Sequence, residues 1–379
     1  MRARRALDSV GVVVTADCNL RCSYCYENRK QPASVPWFAL ATAIDAYALG
    51  ARRRAVLSFL GGEPLLEFPL IARAVRRLGR RFPNRRPRYG LTTNGLLLTG
   101  RRIAFLERHR FDVQISCDGV QAAQDLRARG TFASLDGLLD RIRSRHRAFF
   151  RRRVTLASTA TARTIPFLAD SFDYLLSKGP AGIAIGPAMG HRRLTAAETA
   201  ELERQFGRIF DRSREHYRAT GRVPLKLLRK TSPDPKTWAD GEWACAAASG
   251  NNLVVDVDGG LYPCALLIRS SQAVARPRLA ARLAEMSLGN VSDLGVVAQR
   301  LGRLPDAARS AGIFRPQRLK RSRHGRCATC RHAGACFVCP IACAKNPDSA
   351  RTDRIPDFQC AFNRIVLDYR RRFPIQPRT

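Results

Sequence analysis

Short apolar runs alternate with longer amphipathic segments through the first half of the chain. The apolar runs predict six β-strands, at Val10–Thr15, Ala55–Leu60, Tyr89–Thr92, Phe111–Cys117, Val154–Ala160 and Gly182–Pro187. Between them, apolar positions recur three and four residues apart and predict helices near Pro36–Leu49, Leu66–Phe82, Gly100–Arg108, Leu135–Arg147 and Ile165–Leu176. Each interval has room for one helix and two short loops, as a right-handed crossover requires. This alternation predicts a parallel α/β sheet, either open or curled into part of a barrel.

A longer helix and a β-hairpin are predicted after the sixth strand. Thr195 opens the helix with Glu198 three residues later, which is the pattern of a capping box, and the helix is expected to reach about Thr220. The runs Leu253–Val257 and Leu261–Pro263 flank the residues Asp-Gly-Gly, and this pattern predicts a hairpin. A linker separates this helix from the hairpin. Beyond the linker, the alternation of helices and strands stops.

These changes of pattern predict the domain organisation. The expected units are an α/β domain at 1–220, a linker at 221–244, a cysteine-rich domain at 245–362, and a terminal helix with a tail at 363–379. The linker contains a proline-rich sequence at 231–235, and the terminal helix lies near Ala361–Arg372. After Leu301 the chain has little apolar periodicity, so it cannot bury enough apolar surface to fold alone. A bound metal is therefore expected to hold this segment together.

The composition is that of a globular protein with room for a large domain and a smaller one. The chain has 379 residues, of which 45% are hydrophobic and 26% are charged. No run of about 18 apolar residues occurs, so a membrane-spanning helix is not predicted. The apolar stretch Val10–Ala16 is short and Cys18 follows almost at once, which indicates a buried strand in place of a signal peptide. A cytoplasmic location without membrane contact is therefore expected.

Arginine gives the chain an unusual charge. Lys and Arg total 66 against 31 acidic residues, for a formal net charge of +35. The densest stretches are Arg73–Arg88, Arg141–Arg153 and Arg315–Arg326. Such stretches can bind phosphates or an acidic peptide, but a spacing of three or four residues also lines the water-facing side of a helix. The charge alone identifies no partner.

Twelve cysteines fall into two groups, with Cys117 between them. The first group is Cys18, Cys22 and Cys25, and the second is Cys245, Cys264, Cys327, Cys330, Cys336, Cys339, Cys343 and Cys360. Because no export signal is present and the thiols have the spacing of metal ligands, metal or iron–sulfur ligation is favoured over disulfides. Cys117 ends an apolar strand and is expected to be a packed core thiol.

The first cysteine group directly follows the first predicted strand, in the sequence Thr-Ala-Asp-Cys-Asn-Leu-Arg-Cys-Ser-Tyr-Cys-Tyr. In parallel α/β folds, the loops at the carboxyl ends of the strands build the active site. Three thiolates on one loop do not complete a tetrahedral zinc site, which needs a fourth ligand from elsewhere. They suit a four-iron cluster whose fourth iron is open to another ligand.

The spacing Cys-x3-Cys-x2-Cys, with Tyr24 before the last cysteine, resembles the radical S-adenosylmethionine (radical SAM) superfamily. Three further motifs of that family follow in order at the ends of the next strands, namely Gly61-Gly62-Glu63-Pro64, Thr92-Thr93-Asn94-Gly95 and Ser116-Cys117-Asp118-Gly119. The resemblance implies a partial (β/α)6 TIM-like barrel. It also implies that Cys18, Cys22 and Cys25 ligate a [4Fe–4S] cluster, and that the cluster reduces S-adenosyl-L-methionine to produce a 5′-deoxyadenosyl radical.

The same resemblance implies the contacts of the cofactor. They are Tyr24 with the adenine, Gly61, Gly62 and Glu63 with the methionine ammonium, and Asn94 and Ser116 beside the ribose and methionine ends. Arg127 or Arg129, in the loop after the fourth strand, would hold the methionine carboxylate. The spacing in that loop departs from the family's usual register, so both arginines stay open.

The second cysteine group resembles the SPASM domain, which carries auxiliary iron–sulfur clusters in radical SAM enzymes that act on peptides. The resemblance implies an outer cluster on Cys327, Cys330, Cys336 and Cys360. It implies an inner cluster on Cys245 and Cys264 together with Cys339, Cys343 or both, because the run here has two candidate cysteines where the family has one. Structural zinc knuckles are the alternative for this segment.

Together the resemblances imply an oxidoreductase or maturase that crosslinks or oxidises a side chain of a ribosomally made peptide or protein. The expected partners are that substrate, a separate leader-binding protein, and an electron donor such as flavodoxin or ferredoxin, and nucleic acid is not expected. Sulfatase-maturing relatives have an Asp directly after the Cys of their Tyr-Pro-Cys motif, whereas Ala265 follows Cys264 here, which counts against that reaction. The alternatives are a radical enzyme acting on RNA or a small molecule, and a zinc-bound adaptor without catalysis.

Overall fold

The computed structural model describes residues 7–25, 30–229, 245, 247, 250–269, 284–293, 300, 303, 319–344, 346, 349, 351 and 353–374. The proline-rich sequence at 231–235, most of the predicted linker and the last residues of the tail lie outside the described residues. Within the described part, no helix is both long and apolar enough to cross a lipid bilayer.

The six predicted strands all form, and they lie side by side in a parallel sheet. They are β1 to β6, at Leu7–Thr15, Ala51–Gly61, Arg88–Thr93, Phe111–Ser116, Val154–Ala160 and Gly182–Pro187. Adjacent strands in the sequence are neighbours in the sheet, with every pair from β1 to β6 parallel. The carboxyl ends of all six strands therefore meet at one end of the barrel.

Helices cover the sheet between the strands. They are α1 to α8, at Trp37–Gly50, Phe68–Arg81, Gly100–Arg108, Gln121–Ala128, Phe132–Arg145, Arg147–Arg153, Leu168–Lys178 and Ala196–Thr220. The capping box at Thr195 and Glu198 is confirmed. The helix predicted near Leu135–Arg147 is confirmed as α5, which ends at Arg145 because His146 leaves helical geometry, and the short helix α6 that follows was not predicted. The helix α4 was not predicted, since it is only eight residues long and its buried residues are Ala123 and Gln124.

The hairpin predicted in the second half forms, but it extends the barrel sheet. Its strands are β7 at Asn252–Val255 and β8 at Gly260–Tyr262, followed by β9 at Gly289–Asn290. β7 pairs in parallel with β1, so the order of the nine strands is β6-β5-β4-β3-β2-β1-β7-β8-β9. The prediction located the hairpin from its turn residues, and a turn holds no information about a pairing partner more than 200 residues away.

In the C-terminal part, the described residues 319–374, with their gaps, form a small second sheet and two helices. β10 at Arg321–Ser322 pairs with β11 at Gly325–Arg326, and the helices are α9 at Pro340–Ala344 and α10 at Asp357–Arg372. α10 begins earlier than predicted and packs on α8, with the rings of Phe206 and Phe362 5.3 Å apart. The main core therefore continues from the barrel to α10, while Cys327, Val338, Cys343 and Ile355 form a small satellite core.

Candidate functional site

A cavity of about 510 Å³ opens at the carboxyl ends of the barrel strands. The cysteine loop after β1 forms one side, and the ends of β2 to β6 form the other. The predicted site residues that line it are Cys22, Tyr24, Cys25, Gly61, Ser116 and Arg127. We call this space the central cavity. Arg129, the other arginine considered for the carboxylate, is exposed and does not line it.

The loop that carries Cys18, Cys22 and Cys25 is held by short-range hydrogen bonds. The Cys18 N–H donates to the side chain of Asp17 at 2.7 Å, and the Cys25 N–H donates to the Cys22 carbonyl at 3.1 Å. The Leu20 N–H points at the Cys18 sulfur at 3.4 Å. Burial raises the pKa of the Cys18 thiol, and this N–H opposes the shift. The loop thus turns its sulfur atoms toward a partly dry surface, where a cationic iron centre would favour the thiolate form.

Gly61 and Gly62 let the end of β2 approach the cysteine loop closely. The Gly62 N–H donates to the Thr15 carbonyl at 3.1 Å. A Cβ atom at Gly61 would lie 2.3 Å from the Thr15 carbonyl oxygen, and one at Gly62 would lie 2.3 Å from the Asp17 carbonyl oxygen. Gly61 also has φ +144°, which L side chains rarely adopt. The need for glycine here arises from the neighbouring backbone, and contact with a methionine ammonium stays a prediction.

The Glu63 carboxylate is fully buried and connects two of the motif loops. It accepts hydrogen bonds from the Thr93 hydroxyl at 2.7 Å, the Asn94 N–H at 2.7 Å and the Leu65 N–H at 3.1 Å. Burial raises the pKa of this carboxyl, and the three donors oppose the shift. Glu63 does not line the central cavity, so its structural role is to fix the loop after β3 against the loop after β2.

Asn94 is also turned toward the cysteine loop. Its side-chain amide donates to the Asn19 side chain at 2.7 Å and lies 4.0 Å from the Cys18 sulfur. Asn94 is 7% exposed and is absent from the lining of the central cavity. The structure therefore places it behind Cys18, and its predicted position beside the cofactor stays a prediction.

Tyr24, Asp118 and Arg127 form a buried network on the wall of the central cavity. The Tyr24 hydroxyl donates to the Asp118 carboxylate, and Arg127 Nη1 donates to the Tyr24 oxygen at 3.0 Å. Arg127 Nη1 also lies 3.6 Å from Asp118 Oδ1. Burial raises the pKa of Asp118 and Arg127 opposes this shift, while burial raises the pKa of Tyr24. The network fixes the Arg127 guanidinium in a dry position at the edge of the cavity.

Four cysteines of the second group line a separate cavity of about 380 Å³ in the C-terminal segment, and these are Cys327, Cys330, Cys336 and Cys360. They are the four assigned to the outer cluster. Burial raises the pKa of Cys327 to about 12, and the three neighbouring thiols add to this effect. Asn363 donates to the Cys336 sulfur at 3.5 Å. The segment thus brings four thiols from two separate stretches around one space.

The remaining cysteines of this group lie in two different environments. Cys245, Cys264 and Cys339 are half-buried and pack against the main core, on the barrel side. Cys343 is fully buried in the satellite core, beside Cys327. None of the twelve cysteines forms a disulfide. No three His, Cys, Asp or Glu side chains of the described residues are grouped around the position of a single metal ion.

Comparison with known proteins bears on the first 160 residues. Residues 12–160 match the model of the radical SAM superfamily. These residues are a radical SAM domain. This match confirms the resemblance stated for the first cysteine group, and the parallel sheet confirms the barrel that it implied.

Relatives extend the likeness beyond the radical SAM domain. The chain is 27% identical over 260 residues to an uncharacterised protein of Methanocaldococcus jannaschii, covering 67% of this chain and 83% of that one. It is 25% identical over 362 residues to the serine-type anaerobic sulfatase-maturating enzyme of Klebsiella aerogenes, covering 89% of this chain and 80% of that enzyme. The structure of native anSMEcpe with bound AdoMet and the Kp18Cys peptide superposes with a TM-score of 0.70 at 18% identity, covering 95% of this chain and 96% of that one. At this identity the likeness shows a shared fold.

Radical SAM domains use a [4Fe–4S] cluster and S-adenosylmethionine, and the central cavity fits such a pair. Among the buried polar atoms of the described residues, Arg127 Nε and Ser158 Oγ have no hydrogen-bond partner, and both residues line this cavity. An unpartnered guanidinium N–H suits a carboxylate, and a hydroxyl suits a ribose or a carboxylate. Cys22, Cys25, a cation and a hydroxyl line one space, with Cys18 on the same loop, and this set matches a cluster with a zwitterionic cofactor.

The sequence analysis missed several residues of this site. Asp118 stood within a recognised motif but was given no role, and Gln114, Ser158 and Met189 were not considered. Gln114 and Ser158 have the alternating position of inward-facing strand residues, which was an available signal. Met189 lies in the loop after β6, and nothing in its local sequence marks it. Cys117, by contrast, is confirmed as a core thiol with no exposed surface.

Proposed function

We propose that this chain is a radical SAM enzyme that crosslinks or oxidises a side chain of a ribosomally made peptide or protein. The observation that carries the proposal is the central cavity, where the cysteine loop faces Arg127 and Ser158 across about 510 Å³ of space. This volume exceeds what a metal cluster alone needs, and it is open to solvent on one side for an incoming chain. The sulfatase-maturating relative and the peptide-bound anSMEcpe structure support a peptide substrate.

Each residue of the central cavity has a defined task in this proposal. Cys18, Cys22 and Cys25 hold the cluster, and Arg127 pairs with the carboxylate of S-adenosylmethionine. When bound there, the cluster and S-adenosylmethionine would supply a 5′-deoxyadenosyl radical for removal of a hydrogen atom from the substrate. Tyr24 and Asp118 hold Arg127 in its orientation.

The C-terminal cysteines extend the proposal to auxiliary clusters. Cys327, Cys330, Cys336 and Cys360 would hold the outer cluster, because all four line one cavity. Cys245, Cys264 and Cys339 would hold the inner cluster, because all three border the main core whereas Cys343 lies in the satellite core. After one hydrogen atom has been removed, forming the new bond or double bond would release one proton to solvent and one electron. These clusters would accept that electron and pass it to a ferredoxin or flavodoxin.

Sulfatase maturation is a poorer fit than another peptide oxidation. Ala265 follows Cys264 and opens a short 3-10 turn at Ala265–Leu267, so this position offers no carboxylate base. A radical enzyme for RNA or a small molecule is the second candidate, and the high positive charge favours RNA. The cysteine-rich segment, with four thiols around one cavity, favours the peptide reaction.

The test combines metal analysis with cofactor cleavage and product detection. Anaerobically purified protein is assayed for iron, sulfide and reductive release of 5′-deoxyadenosine, for the wild type, the Cys18→Ala/Cys22→Ala/Cys25→Ala variant and the Cys117→Ala control. We expect the triple variant alone to lose deoxyadenosine formation while it keeps the auxiliary iron. Translated peptide libraries are then screened by mass spectrometry for the loss of two hydrogen atoms. Zinc in place of iron with no deoxyadenosine, or cleavage coupled only to RNA, contradicts the proposal.

A further inference from the structure

A third cavity, of about 240 Å³, opens at the end of the barrel opposite the central cavity, where β6 begins. Its walls come from α5 and α6, the end of α7, and the end of α8 with the following loop. The titratable side chains that line it are all basic, namely Arg143, Arg147, Arg151, Lys178, His216 and Arg222. We call this space the basic cavity. It is distinct from the central cavity and shares no lining residue with it.

Part of this positive charge has no counter-charge. Lys178 donates to Asp136 at 2.6 Å and to Asp140 at 2.9 Å, so these two carboxylates neutralise the charge of its ammonium. Among the described residues, neither Arg147 nor Arg151 has a carboxylate within ion-pair distance. Arg222 donates to the Arg151 carbonyl at 3.0 Å, which holds its guanidinium beside the other two without cancelling its charge.

Arginines elsewhere on the barrel surface are treated differently. On α8, Arg208 pairs with Asp170 at 2.6 Å, and Arg212 pairs with Asp173 at 3.1 Å. These pairs fit the interpretation that most arginines simply face water on amphipathic helices. The basic cavity does not fit it, because its cations converge on one concave space. Concentrated cations in a cavity repel one another, and burial together with Arg222 lowers the pKa of His216 there. A bound anion would relieve this repulsion.

The arrangement of the cations indicates the form of the anion. Arg147 and Arg151 are four residues apart on α6, and such an interval rises about 6 Å in a helix. Arg143 lies on α5, before the break at His146, and pairs with Asp140 at 3.6 Å. The guanidinium groups without a carboxylate therefore come from α6 and from Arg222 beside Arg151. Successive carboxylates of a peptide can pair with such separate groups, whereas a single phosphate would contact only some of them.

The strand β6 connects this cavity to the central cavity. Gly182 and Ile183 line the basic cavity, and Ala184 to Pro187 line the central cavity. Five residues of a strand span about 17 Å. A peptide that reaches both cavities therefore spans at least this distance, which takes five or more extended residues beyond its anchor.

We propose that the basic cavity binds an acidic segment of the peptide substrate and anchors the peptide while its target residue enters the central cavity. This inference rests on the proposed peptide-modifying function. It assigns substrate recognition to this chain's own barrel surface, at the end remote from the cysteine loop.

The test uses fluorescence anisotropy of a labelled oligoglutamate peptide with anaerobically prepared holoenzyme. The Arg147→Glu/Arg151→Glu variant is compared with Arg76→Glu/Arg80→Glu on α2. The control makes the same change of charge at the same spacing on another exposed helix face. We expect the first variant to bind at least about tenfold more weakly, which is about 1.4 kcal/mol, and the control to change affinity less than about twofold. Cofactor cleavage without peptide should be equal in both.

Each of the remaining outcomes contradicts either the inference or the proposed function. Equal weakening in both variants would mean diffuse attraction to the charged surface. The cavity would belong to another anion if inorganic phosphate displaced oligoglutamate saturably at constant ionic strength. The same would hold if an RNA oligonucleotide bound more tightly than oligoglutamate and its binding depended on Arg147 and Arg151. If oligoglutamate binds here but no peptide is ever modified, the proposed function fails and the anion site remains. If peptides are modified equally by both variants, only this inference fails.

Discussion

The cysteine loop after β1 and the cysteine-rich C-terminal segment hold their thiols by different means. The loop lies on a barrel whose core is extensive and whose glycines and buried Glu63 fix it against two neighbouring loops. The C-terminal segment has a satellite core of four buried residues and very short strands. We therefore expect the first site to form before any cofactor binds, and the second to form only when its thiols hold a metal.

The largest expected effect follows removal of iron. An anaerobic chelator should cause residues 319–344 to exchange their amide hydrogens at nearly the rate of an unfolded chain, because the satellite core is too small to order them alone. The strands β3 and β4 should keep their protection, since their core is intact. Hydrogen exchange with mass spectrometry measures both in one sample. Retained protection at 319–344 after complete iron loss would remove the distinction between the two regions.

The next effect separates the two unassigned cysteines. Cys339→Ala should lose the iron of one cluster, because Cys339 borders the main core together with Cys245 and Cys264. Cys343→Ala should keep its iron and lose about 1–2 kcal/mol of stability, as expected for truncating a buried core side chain. Iron analysis and thermal unfolding of the two variants check this. The reverse pattern would place Cys343 on the inner cluster.

A smaller effect concerns the preformed site. Arg127→Lys keeps a positive charge beside Asp118 but lacks the Nε–H, which has no partner among the described residues. We expect the affinity for S-adenosylmethionine to fall about 10- to 100-fold, the range of one or two charge-assisted hydrogen bonds. Calorimetric titration of reconstituted protein measures this. Arg129→Lys is the matched control, and an equal loss there would show that the change is not specific to the cavity.

The smallest effect tests the barrel without any cofactor. Arg192 donates to Glu198 at 2.9 and 2.6 Å, and with the Thr195 N–H these bonds lower the pKa of Glu198 to about 2. Because the pKa is lower in the folded state, the stabilisation is present above the ordinary value of 4.5 and is lost as the pH falls toward 2. Glu198→Gln should be less stable than the wild type at neutral pH, by a difference that shrinks in acid.

Denaturant unfolding of both proteins across that pH range gives the comparison. Glu203→Gln, at an exposed position on the same helix, serves as the control and should show no such trend. A difference between Glu198→Gln and wild type that is constant with pH would show that the capping box, and not the charge, stabilises α8.

Much of the barrel site was readable from local sequence. Cys22, Cys25, Tyr24 and Ser116 line one cavity, because motifs at the ends of parallel strands must meet at one end of a barrel. Cys18 lies on the same loop but does not line this cavity, and the contacts of all these residues with a cofactor stay predictions. Glu63 and Asn94 were predicted to face the cofactor, and the structure turns both toward protein loops. Which way a side chain points at a strand end depends on its neighbours in space. Asp118 was missed as a partner for the same reason. Tyr24 is far from both Asp118 and Arg127 in the sequence, so no local pattern connects the three.

The sequence by itself determined the strands, the crossover helices, the capping box and the two groups of cysteines. Each of these depends on periodicity or on spacing within a short stretch, where backbone geometry leaves few choices. Only the tertiary structure decided that β7 joins β1, that Cys339 and Cys343 border different cores, and that six basic side chains from four helices and a loop line one cavity. These are contacts between residues far apart in the chain. They are set by how apolar faces pack against one another, which no local pattern encodes.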